Sequence, residues 1–423
     1  MTSDACTPPP ESAPSLERSL SLWQLVVYGT GTILGLGIYV LLGKVAGAAG
    51  MLAPCAFLFA ALIAGLTGLS YGELAARIPK SAGEVNYVDR AFGLSWLSAI
   101  TGWLIVISAL ASTATVVNGY VGYVRVFVDL PDWLVISGIT LLLGAVAVWG
   151  IKESVALIVG VTAIEVLGIV LVLVFGAPNL AHLGERWTEL LPAASLADGQ
   201  AIALGGFLAF FTFIGFEDLV NVAEEARHPE RDMPRAIAIS LVALTVIYVL
   251  VAVIAVLGLT PQELDRSEAP LADLLAKRGP SYPKIISAVS LVAILNGVLV
   301  QIVMIGRVLY GMGEQGLAPR LFSRVNARTR TPIWATVSAT GVILALALCF
   351  DLEPLAHATT YVLLVVFCAV NLALWRIKRR DPDPHGVSTF PLAVPVLGFF
   401  LNLAVLGFQI YSSLWGSAPE AGA

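Results

Sequence analysis

The chain has 423 residues, of which 58% are hydrophobic and only 13% are charged, and its formal net charge is −5. Soluble domains carry about 25% charged residues, so this composition excludes an ordinary soluble protein, and no nucleic-acid partner is expected. The four cysteines and four histidines lie apart in the sequence. No disulfide framework, metal centre or cofactor is therefore expected. The high apolar and low charged content predicts a multi-span membrane protein.

Apolar runs of about 20 residues, the length that crosses the hydrocarbon core as a helix, predict eleven membrane spans. The runs begin near Trp23, Leu52, Leu94, Trp133, Ser154, Gln200, Pro234, Pro283, Pro332, Pro354 and Pro395. Residues 1–22 are polar and contain no apolar core. They are predicted to be an N-terminal tail rather than a cleaved signal peptide.

The Lys and Arg residues predict the orientation in the membrane. With residues 1–22 in the cytoplasm, the inner segments carry 16 Lys and Arg and the outer segments carry 7. Cytoplasmic loops are enriched in these residues, so the N-terminus is predicted to be cytoplasmic. An odd number of spans then places the C-terminus outside.

Two predicted spans are interrupted by glycine-rich stretches, at residues 29–40 and 205–217. Glycine adopts the dihedral angles of an unwound turn at little cost, and it destabilises a helix interior by about 1 kcal/mol. A helix that opens inside a membrane frees N–H and C=O groups that lipid cannot bind. The two stretches therefore predict broken helices whose free backbone groups need a ligand, water or packed protein.

Each interrupted span opens a set of five spans. Residues 23–176 form the predicted first five-helix repeat, residues 198–378 form the second, and residues 394–415 form an additional C-terminal span. Two such units, each with a broken helix, are typical of secondary transporters built from inverted repeats. We therefore predict an all-α integral membrane protein with a five-plus-five inverted-repeat transporter fold, broken helices 1 and 6, and about 11 spans.

Four sequence blocks make this prediction more specific. They are Leu-Gly-Leu-Gly-Ile-Tyr-Val at 34–40, a block at 69–88 that begins Leu-Ser-Tyr-Gly-Glu-Leu-Ala-Ala-Arg-Ile-Pro-Lys, a block at 213–236 that begins Phe-Ile-Gly-Phe-Glu-Asp, and a block at 306–319 that begins Gly-Arg-Val-Leu-Tyr-Gly-Met-Gly. With these blocks in this order, the chain resembles the amino acid, polyamine and organocation (APC) transporter superfamily from about Leu16 to Trp415. The resemblance implies a secondary active transporter of amino acids in the cytoplasmic membrane, surrounded by lipid, as a monomer or homodimer.

The resemblance also implies where the substrate binds, which is between the broken helices at the bilayer midplane. A half-helix that begins at residues 35–37 directs its N–H groups and positive dipole end into the break, which suits a carboxylate. The carbonyl groups that end the preceding half, and those of the second break, suit an ammonium group. The residues expected at the site are Thr32, Ile33, Gly35, Leu36, Gly37, Phe211, Phe213 and Gln301.

Two of these positions carry further expectations. Phe211 matches an aromatic residue that closes over the substrate in related transporters. Relatives place a small or hydroxyl residue between the two glycines, whereas this chain has Leu36 there. The larger apolar side chain removes a hydrogen bond and is expected to make the pocket smaller or drier.

The sequence does not decide the chemical class of the substrate side chain. Asp218 could attract a cationic side chain, or it could face the Arg-rich inner surface. Because Glu165 is the only other clearly midplane acid, the sequence favours neutral amino acids. A cationic amino acid or polyamine exchanger is the alternative.

Glu165 is the predicted site of proton coupling. It lies near the middle of span 5, where an ionisable residue costs about 2.5–3.5 kcal/mol by insertion scales and is a functional candidate by default. The alternative is a structural hydrogen bond, or an ion pair with a cation such as Arg307. No Ser or Thr occurs from Leu291 to Gly311, so the hydroxyl pair that binds sodium in related transporters is missing there, and proton coupling or exchange is expected.

An enzyme or a channel is the rival class of function. An enzyme needs a convergent set of catalytic groups, whereas the spans supply only the isolated acids Glu73, Glu165, Glu217 and Asp218. A channel more often forms from rings of identical subunits. The basic loop at residues 77–90 is expected to act either as a cytoplasmic gate or as a solvated anchor.

Overall fold

The computed structural model describes residues 18–34, 37–80, 83–149, 155–326, 329 and 331–415. The first eight helices are α1 Leu22–Leu34, α2 Ile38–Ala49, α3 Ala53–Arg77, α4 Gly83–Phe92, α5 Ser95–Arg125, α6 Asp132–Trp149, α7 Val155–Gly176 and α8 Leu183–Arg186. The other eight are α9 Leu196–Phe211, α10 Pro229–Gly258, α11 Pro261–Arg266, α12 Pro270–Ala276, α13 Ser281–Glu314, α14 Ile333–Cys349, α15 Leu352–Arg380 and α16 Ala393–Trp415. Short 3-10 segments lie at Gly50–Leu52, Ala177–His182, Trp187–Leu190 and Glu217–Glu225.

Eight segments of the described chain are long and apolar enough to cross a membrane. Three shorter apolar helices, α1, α9 and α14, accompany them. Helices α1 and α9 are short because each ends at one of the two breaks, so each supplies only part of a crossing. The all-helical membrane fold is confirmed. The count of eleven spans and the boundaries of the two repeats and the additional span stay predictions.

The helices that follow the two breaks pack against each other in pairs. Helix α3 lies against α10, and α5 lies against α13 and α15. Helices α3 and α5 are the second and third predicted spans of the first unit, and α10 and α13 are the second and third predicted spans of the second unit. Corresponding helices of the two predicted units therefore meet at the centre of the bundle, where they position the breaks.

The outer surface of the bundle is apolar, as expected for contact with lipid. Leu142 of α6 and Val242 of α10 are 60% and 65% exposed. The interior holds tightly packed small and apolar residues. The energetic reason is that helix association within lipid depends on close packing and hydrogen bonds rather than on the exclusion of water.

Helices α4 and α12 mark opposite ends of the bundle, because α5 begins beside α4 and ends beside the segment that leads into α12. At the α12 end, Lys44 pairs with Asp265 at 3.0 Å and Arg125 pairs with Glu268. Helix α11 is fixed by a capping box, in which Thr260 and Glu263 exchange hydrogen bonds. These contacts hold α11 and α12 over the ends of α2 and α5.

A buried ion cluster lies at the α4 end. Glu73 of α3 is fully buried, and its carboxylate contacts Arg77 at 2.7 Å and Lys378 of α15 at 2.6 Å. The amide of Phe390 donates a further hydrogen bond to it, at 2.9 Å. Arg77 also donates to the Asp381 carbonyl at 2.8 Å. Glu73 is therefore not isolated. Arg77, the first residue of the basic loop, anchors the connection between α15 and α16.

Candidate functional site

The first break separates α1 from α2. Helix α1 ends at Leu34 and α2 begins at Ile38, and the predicted site residues Gly35 and Leu36 lie outside the described residues. Gly37 caps α2 without a side-chain hydrogen bond. The beginning of α2 directs its first N–H groups and the positive end of its dipole towards the break, and of these amides Val40 donates to the Gly37 carbonyl at 3.1 Å.

The second break follows α9, which ends at Phe211. The amides of Thr212, Phe213 and Ile214 donate to carbonyls three residues earlier, at 2.9–3.2 Å, so the helix tightens before it opens. Gly215 has a backbone φ of +118°, a conformation that residues other than glycine rarely adopt. Its amide donates to the Glu217 carboxyl at 2.9 Å. Glu217 therefore stabilises the turn that ends the second break.

The two breaks are in direct contact. A Cβ atom at Gly37 would lie 2.3 Å from Thr212 Cα, and a Cβ atom at Gly215 would lie 2.8 Å from the Thr32 carbonyl oxygen. Thr32 Oγ1 donates to the Gly215 carbonyl at 3.2 Å. The glycines are required here because two backbones approach each other without intervening side chains.

The structure brings most of the predicted site residues together at this contact. Ile33 is fully buried, and its carbonyl accepts a hydrogen bond of 3.4 Å from the Tyr248 hydroxyl. The Phe213 ring packs against Tyr248 with a centroid distance of 5.2 Å. Phe211 is also fully buried, at the end of α9. Gln301 lines a cavity that extends from the second break towards the α4 end.

That cavity lies between α4, α5, α13, α15 and the segment Glu217–Glu225, and its volume is about 40 Å³. Its lining residues are Glu84, Val85, Ile105, Val106, Ser108, Ala109, Ser112, Ile214, Glu217, Asp218, Asn221, Gln301, Met304, Ile305, Val308 and Leu363. Among the described lining residues, three are acids and none is Lys, Arg or His. The cavity therefore has an acidic wall on an otherwise largely apolar surface.

The acids of the cavity come from two separate elements. Asp218 accepts a hydrogen bond of 3.0 Å from Gln301 Nε2, and Glu217 binds the turn amide. Glu84 of α4 is 5% exposed, and burial, together with the nearby Asp218 carboxyl, raises its pKa to about 7. The Ser112 hydroxyl on α5 is buried and has no protein hydrogen-bond partner within the described chain. The arrangement suits a cationic group, which would neutralise the clustered carboxylates.

Glu165 lies beside the first break. Its Oε1 atom accepts a hydrogen bond of 3.1 Å from Asn296 of α13, and its backbone carbonyl accepts one of 2.8 Å from Tyr39 of α2. One turn away on α7, Thr162 contacts Gly31 of α1, where a Cβ atom would lie 2.1 Å from Thr162 Oγ1. Glu165 is fully buried, and its Oε2 atom has no protein partner among the described residues. A protonation change here would therefore be felt by α2, α7 and α13.

Sequence reasoning missed Glu84 and Ser112. Glu84 shares the face of α4 that buries Tyr87, Val88 and Ala91. An acid among apolar residues at this helical spacing was the available signal. The serines at 108 and 112 likewise repeat with helical spacing on one face of an apolar helix. Both patterns indicate a polar cavity only after α4 and α5 are packed together.

Comparisons with known proteins agree with this architecture. The chain resembles the cationic amino acid transporter 4, vacuolar, of Arabidopsis thaliana with 28% identity, over 88% of this chain and 65% of that protein. It is 30% identical to the cationic amino acid transporter 4 of Mus musculus, over 93% of this chain and 66% of that protein. The chain thus spans about two thirds of the length of these relatives. The branched-chain amino acid permease BcaP of Bacillus subtilis is 28% identical, over 90% of this chain and 85% of that protein.

The fold is that of a solved transporter. The crystal structure of MhsT in complex with L-phenylalanine matches with a TM-score of 0.65 and 16% identity, over 93% of this chain and 99% of that chain. The amino acid permease family itself matches residues 20–418. On this match over nearly the whole chain, the protein, a multi-pass membrane protein, belongs to the amino acid permease family.

Proposed function

We propose that the protein is a secondary active transporter that carries an amino acid across the cytoplasmic membrane. The observation that carries the proposal is the contact of the two helix breaks, where Gly37 lies against Thr212 and Thr32 binds Gly215. A site between two broken helices can open to either side as the two units move against each other. A membrane enzyme or a channel has no need of such a contact.

The backbone of the substrate is bound at the breaks. The N–H groups at the beginning of α2 attract the substrate carboxylate, and carbonyl groups at the end of α1 and around Phe211 and Phe213 accept hydrogen bonds from the ammonium group. Backbone donors and backbone acceptors then lie on opposite sides of one small site. This is the pattern that an α-amino acid requires.

The cavity at the α4 end favours a cationic side chain. The sequence favoured neutral amino acids because Glu165 was the only other clearly midplane acid, whereas Glu84 and Glu217 line the same cavity as Asp218. Three buried carboxyl groups stay protonated or bind a cation, since their mutual repulsion and burial oppose three negative charges. Cationic amino acids are therefore proposed as the preferred class, and neutral amino acids are the second candidate.

Coupling to protons is proposed to occur at Glu165. A buried carboxyl with one unpartnered oxygen can load a proton from one side and release it on the other. Its contacts with α2 and α13, and the contact of α7 with α1, tie its charge to the first break. The neutral and anionic forms then favour different positions of the broken helix.

The orientation in the membrane is proposed to place the N-terminus in the cytoplasm. The basic end of α15, with Lys378, Arg379 and Arg380, lies inside in this orientation, as the distribution of Lys and Arg requires. A reporter that is active only in the cytoplasm, fused after His385, is expected to be active. The same reporter fused after Leu414 is expected to be inactive, and activity there would reverse the proposed position of the C-terminus.

Uptake into proteoliposomes tests the proposed function. Vesicles that contain the purified protein should accumulate radiolabelled L-lysine or L-leucine with a rate that saturates, whereas empty vesicles should not. Excess unlabelled lysine in one arm and leucine in another measures which class competes. Uptake that rises linearly with concentration would indicate a channel, and no uptake of either amino acid would contradict the proposal.

A further inference from the structure

A surface cleft, separate from the acidic cavity, lies beside the beginning of α10 at the α4 end. Its volume is about 340 Å³, and its lining residues are His228, Glu230, Arg231, Arg235, Gly386, Val387 and Ser388. The Ser388 amide donates to the Glu230 carbonyl at 3.0 Å, which fixes the connection between α15 and α16 against α10. Gly386 has a backbone φ of +79°, so the connection turns at this residue. The cleft is therefore formed by two segments that are held together.

The cleft has an excess of cationic side chains. Glu230 is the only acid among the described lining residues, and its carboxylate lies 3.6 Å from His228 Nδ1. Arg231 donates through Nε to Asp232 at 3.0 Å, and its side chain is still 53% exposed. Arg235 is exposed and has no ion-pair or hydrogen-bond partner within the described residues. A guanidinium group matches the geometry of phosphate oxygens, so two of them at one cleft favour a phosphate ester.

The two arginines continue a lipid-facing stripe of α10. Four apolar residues of this helix are 38–65% exposed, namely Ile239, Val242, Val246 and Leu250. From Arg231 through Arg235 to Leu250, successive members are separated by four, four, three, four and four residues, so all six share one face of the helix. Helix α10 packs against α1, α3 and α7. The cationic cleft is thus continuous with an apolar surface that acyl chains can cover.

The spacing along α10 matches the layers of a bilayer. With a rise of 1.5 Å per residue, Arg235 and Arg231 lie about 6 and 12 Å before Ile239, the first exposed apolar residue of the stripe. A headgroup layer is about 5–8 Å thick, so Arg235 lies within it and Arg231 lies at its outer edge. From Ile239 to Leu250 the stripe extends about 17 Å, close to half of the hydrocarbon core of about 30 Å. The stripe therefore covers one leaflet.

We propose that the cleft binds the phosphate group of an anionic phospholipid, whose acyl chains lie along the exposed stripe of α10. Arg231 and Arg235 bind the phosphate oxygens, and His228 and Ser388 line the space for the rest of the headgroup. The lipid belongs to the leaflet at the α4 end, which is the cytoplasmic leaflet in the proposed orientation. Anionic lipids of that leaflet bind basic pockets beside membrane helices. A choline headgroup binds more weakly, because its ammonium group adds a cation beside two arginines.

Binding of fluorescent phosphatidylglycerol to the purified protein in a neutral detergent tests the proposal. Arg231→Gln/Arg235→Gln removes two positive charges from the cleft, so the affinity should fall at least about tenfold, or 1.4 kcal/mol. Arg320→Gln/Arg324→Gln is the matched control, because it removes two exposed arginines that are also four residues apart and follow the end of α13. This control should bind the lipid as the natural protein does. Equal weakening in both double variants would mean that net charge alone attracts the lipid, and would overturn the site.

Competition on the natural protein identifies the occupant and does not depend on the folding of any variant. Unlabelled phosphatidylglycerol should displace the fluorescent lipid, and phosphatidylcholine with the same acyl chains should do so at least about tenfold less well. Equal displacement by the two lipids would overturn the preference for an anionic headgroup. Inorganic phosphate at the same concentration should displace little. Displacement by phosphate as strong as by phosphatidylglycerol would make the cleft a site for free phosphate and overturn the role of the stripe.

Discussion

Thr32 and Gly215 join the two helix breaks through one hydrogen bond, in which Thr32 Oγ1 donates to the Gly215 carbonyl at 3.2 Å. The same hydroxyl also donates to the Gly29 carbonyl of its own helix at 3.1 Å. One side chain therefore links the end of α1 to the turn that follows α9. Changes at this contact are expected to alter the proposed site directly.

Substitution of Gly215 should abolish transport while the protein still inserts. In Gly215→Ala, the added Cβ would lie 2.8 Å from the Thr32 carbonyl oxygen, and φ +118° is strained for alanine. Such strain costs about 1–3 kcal/mol. Gly138→Ala is the control, because a Cβ atom there has nothing within 4 Å. Equal uptake by the two variants in proteoliposomes would contradict the role of the contact.

The acidic cavity should determine the preference for cationic substrates. Asp218→Asn and Glu84→Gln keep the shapes of the side chains and remove their charge, so we expect the KM for lysine to rise about tenfold, or 1.4 kcal/mol. The KM for leucine should change little. Competition assays with both amino acids measure the two effects. A parallel change for lysine and leucine would mean that the cavity does not contact the substrate side chain.

The pKa of Glu84 gives this preference a pH dependence. Because burial raises that pKa to about 7, Glu84 is neutral in acid and becomes anionic as the pH rises through about 7. Lysine affinity should therefore increase between about pH 6 and pH 8, and Glu84→Gln should remove this increase. The same shift makes the free energy of unfolding fall as the pH rises from about 4.5 to about 7, because in this window the folded state holds the proton and the unfolded chain does not.

Neutralisation of Glu165 should separate exchange from accumulation. Glu165→Gln preserves a hydrogen bond with Asn296 and cannot titrate, so substrate exchange should continue while accumulation driven by a pH gradient stops. Uptake at several imposed gradients is the measurement. Gradient-driven accumulation at the level of the natural protein would show that the proton travels elsewhere or that the protein is a pure exchanger.

The buried ion cluster should stabilise the fold. Lys378→Met removes one of the two cations that contact the Glu73 carboxylate, and loss of one partner from a buried pair costs about 3–5 kcal/mol. Arg379→Met, one residue further along α15, is the control because Arg379 is exposed. Thermal unfolding in detergent should show a much lower midpoint for the first variant only. Equal midpoints would show that the contact between Lys378 and Glu73 does not stabilise the fold.

The sequence predicted both helix breaks because glycine within an apolar span is a local signal, and α1 and α9 end at Leu34 and Phe211. The acidic cavity was not predictable to the same degree. Glu84 reaches Asp218 only because α4 folds back against α5, and no local pattern fixes that packing. Gln301 binds Asp218 in this cavity, which also includes Ile214 beside the second break.

The central claim is that the breaks bind the carboxylate and the ammonium group of one amino acid. Counterflow inhibition with three ligands tests it most directly: L-lysine, its methyl ester, and the diamine that remains when the carboxyl group is removed. The account predicts strong inhibition by L-lysine and inhibition at least about tenfold weaker by the other two, since each lacks the negative charge that binds at the beginning of α2. Equal inhibition by all three would contradict it.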